Sequence, residues 1–183
     1  MSKKDPYREW LKQDLGSLID ALQLSELQKH FLHSRWLDQM LWMEGKADHA
    51  QKRYYLLRLT AIVGGVTVPA LVSLNLGSTG VIGYIRWATF IISLLVAVSV
   101  AVEEFFHYGE RWRHYRSSVE RLKIEGWEFF QLSGQYQSFK DHIGAYPAFA
   151  GQVENILRSE VDVYISEVVR EKKEKVKAID QGE

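Results

Sequence analysis

The stretch SVAVEEFFHYGERWRHYR, residues 99–116, gathers most of the side chains that could do chemistry. Glu103, His107, Glu110 and His114 follow one another at intervals of four, three and four, which on a continuous helix puts them on one face. Glu104 with His107 also makes the Glu-x-x-His step used by di-metal sites in helical bundles. Such a site needs a second Glu-x-x-His and further carboxylates, and the chain holds no second copy. The group therefore reads as interface hydrogen bonding and arginine pairing, and neither a metal nor a cofactor is expected. His30 and His33 read as ordinary surface or core histidines. There is no P-loop, no Gly-x-Ser-x-Gly elbow and no His-Glu-x-x-His. The GSTG at residues 77–80 has no preceding strand to make its glycines a phosphate cradle. No enzymatic activity is expected.

The paired glutamates stand where an apolar run ends. YIRWATFIISLLVAVSVAV, residues 84–102, contains nothing more polar than Thr89, Ser93 and Ser99 after Trp87. LLRLTAIVGGVTVPALVSLNL, residues 56–76, carries one charge, Arg58. Each is close to the roughly 20 residues that a helix needs to cross a hydrocarbon core. Gly64, Gly65 and Pro69 suit a transmembrane helix better than a soluble one. With the turn-rich GSTGVIG at residues 77–83 between them, the two runs predict a transmembrane hairpin. Two buried helices of a soluble bundle are the alternative, but those are normally shorter and keep a polar stripe. The mean hydropathy of −0.20 conceals the hairpin, because the apolar residues are concentrated in two places.

Flanking residues give the orientation. Lys52, Arg53 and Arg58 lead into the first span and Arg111, Arg113 and Arg116 follow the second, while the connecting side offers only Arg86. The positive-inside rule then places both termini in the cytoplasm. Tyr54, Tyr55, Phe105, Phe106, Tyr108 and Trp112 fit the inner interface, and Tyr84 and Trp87 the outer one. The opening MSKKDPYREW has no apolar core region, so no cleavable signal peptide is expected.

The 183 residues carry 23 basic and 23 acidic side chains, a balance that argues against a nucleic-acid partner. The absence of cysteine excludes disulfides, thiolate metal sites and cysteine nucleophiles. Three prolines and few turn clusters favour long helices. Residues 6–23 predict an amphipathic helix with Trp10, Leu11, Leu15, Leu18, Ile19 and Leu22 at helical spacing. Ser25 with Gln28 reads as a capping box. The next helix carries Leu27, Phe31, Leu32, Trp36, Leu37, Met40 and Leu41 and runs past Gly45 toward the first span. Beyond the second span the helix is expected to continue to about Ser133, with Gly134 as breaker. A last helix from near Pro147 carries Phe149, Val153, Ile156, Val163, Val168 and Val169 into a charged tail. The fold class is all-α: a two-span hairpin whose arms extend into a cytoplasmic helical bundle. Its parts are an N-terminal helix at 1–24, a two-span domain at 25–170 and a tail at 171–183.

Small residues set the packing. Ser93, Ala97 and Ala101 recur every four positions, as do Thr60 with Gly64 and Ala61 with Gly65. Such faces let transmembrane helices approach closely. The hairpin itself could use one face, leaving the other for a neighbouring subunit.

RWLDQMLWMEGKADHAQKRYYLLRLTAIVGGVTVPAL, a second span, and then RWRHYRSSVERLKIEGWEFFQLSGQY together resemble the SLATT family, also catalogued as a domain of unknown function. The carrying features are the aromatic-rich entry helix that leads into the first span, the basic KRYYLLRL threshold, and Trp112, Tyr115, Arg116, Leu122, Lys123, Glu125, Phe129 and Tyr136 after the membrane. The resemblance implies a bacterial two-span inner-membrane protein of the kind proposed to form pores in nucleotide-triggered defence. No catalytic residue is carried over. The expectation is a homo-oligomeric, cation-favouring channel gated through its cytoplasmic helices, with lipid, further copies of itself and ions as partners. Glu103, Glu104 and His107 are the candidates at the inner mouth, and Thr60, Thr67, Ser93 and Ser99 those within the spans. Gly64, Gly65, Ala97 and Ala101 are the helix-packing candidates. A non-conducting scaffold that docks partner proteins is the alternative.

Overall fold

A computed structural model describes residues 6–74 and 82–159, all of them helix or short connection, with no strand among them. The elements are α1 (Pro6–Ala21), α2 (Glu26–Phe31), a π-helical segment (Leu32–Leu37), α3 (Asp38–Leu74), α4 (Ile82–Phe106), α5 (Tyr108–Phe130), a 3₁₀ turn (Gly134–Tyr136) and α6 (142–159). Most of the expected 77–83 connection lies outside the described residues, as do Val163, Val168, Val169 and the 171–183 tail. The chain divides into two compact units, one formed by the residues up to Met43 with those from Ser117 onward, the other by Glu44–Arg116.

The first unit is an ordinary apolar bundle. α1 buries Leu11, Leu15 and Ile19 at four-residue intervals, while Trp10 is 56 % exposed. Ser25 and Gln28 form the capping box at the start of α2, satisfying backbone donors that a helix N-terminus leaves without partners. Leu27 stands in the first turn of α2 and is 79 % exposed, so the expected apolar stripe begins only further along. The wider π turn at Leu32–Leu37 then sets which residues face inward: Leu32, Trp36, Leu37, Met40 and Met43.

Trp36 is the anchor of this core. Its indole Nε1 donates to the Leu122 carbonyl at 3.0 Å. Its ring lies edge-on to Phe130 and Phe149 and occupies the space that a Cβ on Gly126 would need. α5 faces it with Val119, Leu122 and Phe129, and α6 closes the core with Ala145, Phe149 and Val153. α6 starts earlier than expected, because Asp141 accepts from the Gly144 N–H at 2.8 Å and caps the helix there, with Pro147 inside it. α5 ends at Phe130, earlier than the expected Ser133, with Leu132 (φ 46°) in the left-handed region.

The second unit is built the other way round. Its two long helices are apolar enough to cross a membrane, and only 6 % of each apolar window is buried. They pack on each other along a narrow seam: Gly64 of α3 lies against Val96 and Ile92 of α4, so close that a Cβ would overlap Val96. Ile85, Thr89, Ile92, Val96 and Ser99 follow the seam at heptad-like spacing, while Leu59, Val63, Phe90, Leu94 and Val98 point outward.

Candidate functional site

At the C-terminal end of α4 the chain does not run straight on. His107 takes a left-handed conformation (φ 49°), closes α4, and a new helix begins at Tyr108. The expected single face of Glu103, His107, Glu110 and His114 is therefore split between two helices. Glu103 turns back to serve the break, its Oε1 accepting from the Gly109 N–H at 3.4 Å while its carbonyl accepts from the His107 N–H at 2.8 Å. Gly109 lets the Tyr54 ring lie close, because a Cβ there would come within 2.8 Å of it and force the ring to shift.

Aromatic and basic side chains fix this threshold. Trp112 stacks on Tyr54, with centroids 6.1 Å apart, and contacts Tyr55 at 5.6 Å. Arg53 donates to the Tyr108 hydroxyl at 2.9 Å and lies over the same ring, 5.5 Å from its centroid. Arg116 pairs with the buried Glu44 at 3.0 Å. The sequence groups these tyrosines and Trp112 at one end of the two apolar runs, and the structure brings Tyr54, Tyr55 and Trp112 into contact. Gly109 was not singled out, although a glycine directly behind an aromatic boundary is a recognisable break signal.

The two adjacent glutamates have different surroundings. Val96, Ser99 and Glu103 lie three and four residues apart and continue the seam, whereas Ala97, Ala101 and Glu104 continue the exposed stripe that starts at Ser93. Glu104 is exposed and makes no hydrogen bond or ion pair with another described residue. Ser99 is buried in the seam. Gly65 faces open space, in contrast to Gly64.

Thr60 and Thr67 line a groove of about 470 Å³ between α3 and α4, together with Leu56, Leu59, Val63 and Leu95. Their hydroxyls donate to the Leu56 and Val63 carbonyls at 2.9 and 2.7 Å, so the groove surface is almost wholly apolar. Among the described residues, no three His, Asp or Glu side chains group to hold a metal ion.

A second polar cluster lies in the bundle unit. Glu125 accepts from the Tyr136 hydroxyl and from Gln135 Nε2, tying the 3₁₀ turn to α5. Burial pushes the Glu125 carboxyl above its ordinary value, although the Tyr136 hydrogen bond acts in the opposite sense. Burial, and then the Glu125 partner, hold the Tyr136 phenol well above its ordinary range. Arg35 makes a paired hydrogen bond to Glu154 at 2.7 and 2.9 Å, which lowers that carboxyl below its ordinary value.

These elements define an all-α protein with two candidate membrane-spanning helices packed as a pair and a separate helical bundle. The chain belongs to the family described as "Protein of unknown function (DUF4231)", which matches residues 38–144 and so takes in α3, α4 and α5. No curated protein and no solved structure matches it.

Proposed function

We propose that the protein is a homo-oligomeric channel of the bacterial inner membrane, of the SLATT type, with both termini in the cytoplasm. The observation that carries this reading is the second, unused face of α4. The hairpin consumes Gly64 and Val96 in its own packing, and Ser93, Ala97 and Ala101 stay exposed in line with Glu104. Small residues at four-residue spacing suit a neighbouring helix. Rotational symmetry would multiply Glu104 into an acidic ring, which concentrates cations. Lys52, Arg53, Arg58, Arg111 and Arg113 on the termini side support the orientation. No catalytic step is assigned to any residue.

A non-conducting scaffold is the second reading, favoured by the back-bonded hydroxyls of Thr60 and Thr67, which leave almost no polar lining in their groove. Bilayer recordings with mass determination in detergent separate the two. The channel reading expects a defined oligomer, cation-favouring current, and lower cation preference in Glu104→Gln. A monomer, or silence of the wild-type protein in bilayers, would leave the scaffold. Reporter fusions at residue 80 and at the C-terminus test the orientation, and a cytoplasmic signal at residue 80 would overturn it.

A further inference from the structure

We infer that the groove between α3 and α4 is a docking site for one acyl chain of an anionic phospholipid, with the headgroup held by Lys52. This rests on the membrane reading above. Leu56, Leu59 and Val63 form the groove's α3 wall, and Lys52 precedes them on the same helical row, at intervals of four, seven and eleven residues. Helical side chains lean toward the N-terminus, which carries the Lys52 ammonium further out of the apolar span toward the headgroup layer. Lys52 is exposed and has no hydrogen bond or ion pair with another described residue, whereas its neighbour Arg53 is engaged by Tyr108.

Depth and lining select the occupant. From Leu56 to Thr67 the groove runs about 16 Å at 1.5 Å per residue. That is about half of the ~30 Å hydrocarbon core, the reach of a single leaflet. Because the hydroxyls of Thr60 and Thr67 are bonded to their own helix, water or an ion would find almost no partner along the groove. The cationic end favours a headgroup with net negative charge over a zwitterionic one.

Native mass spectrometry of the full chain, extracted in mild detergent and given equal phosphatidylglycerol and phosphatidylethanolamine with identical acyl chains, tests the site. The expected result is a retained lipid enriched about fivefold in phosphatidylglycerol, the scale of one cation near a membrane surface. Lys52→Glu is expected to abolish that preference, and Val63→Trp, which fills the groove, to displace the lipid. Equal retention of the two lipids, or a preference unchanged by Lys52→Glu, would overturn the inference. So would a Val63→Trp variant that loses its oligomer and keeps its lipid, since a second copy would then occupy the groove. Alkaline carbonate extraction is run alongside. Protein released by carbonate overturns the membrane reading itself, whereas protein that stays in the pellet without lipid preference overturns only the lipid site.

Discussion

The two units use similar apolar residues in opposite ways. In the bundle, Leu32, Trp36, Met40, Leu122, Phe129 and Phe149 are each at most 1 % exposed. In the hairpin, Leu59, Val63, Phe90, Leu94 and Val98 are each at least 50 % exposed. Burial away from water drives the first arrangement at about 25 cal/mol per Å² of apolar surface. The second leaves its apolar side chains outward, as the proposed membrane setting would allow, and its helices meet by close approach at Gly64.

The largest expected effect tests the bundle side of this contrast. Trp36→Ala should cost about 3–5 kcal/mol of stability in denaturant titration followed by circular dichroism, through the cavity and the lost Leu122 hydrogen bond. Leu94→Ala, an outward-facing truncation in the hairpin, should leave the same titration nearly unchanged. Equal losses would erase the distinction. Next comes Leu94→Arg, which should penalise membrane insertion of α4 by about 3 kcal/mol in a translocon assay. A neutral outcome would mean that this face does not meet lipid.

Two neighbouring glycines sharpen the hairpin side. Gly64→Leu should destabilise the pair by about 1–3 kcal/mol in thermal unfolding, because the new side chain must displace Val96. Gly65→Leu should stay within about 0.5 kcal/mol in the same measurement. A drop in detergent-solubilised mass for Gly65→Leu or Ala97→Leu without loss of stability would mark the subunit face.

The smallest effects concern pH, at two carboxyls of the bundle. The Glu125 carboxyl is raised on folding, chiefly by burial, so its contribution is full below the unfolded carboxylate range and is lost as pH rises through the raised folded value. Glu125→Gln should flatten that decline. Glu154 is lowered by Arg35, so its contribution is present above the unfolded range and lost as pH falls through the folded value. This exposed pair is worth about 0.2–1 kcal/mol, and Glu154→Gln should remove the corresponding acid-side loss from the stability profile.

Composition and periodicity were enough to read the all-α class, the two apolar runs, the capping box at Ser25 and the basic-aromatic threshold around Tyr54 and Trp112. These are local properties: hydropathy accumulates along a segment, and a cap needs only its own first turn. The π turn that aims Trp36, the left-handed break at His107 and the early start of α6 depended on partners far along the chain or on how a helix end is closed. Glu103 and Glu104 show the boundary most clearly. In sequence they are adjacent and equivalent, and either could face an axis. Only the packing of Gly64 against Val96 chose which face of α4 became the seam. That choice turned Glu103 toward Gly109 and left Glu104 outside, because successive residues on a helix point about 100° apart and a single seam can take only one of them.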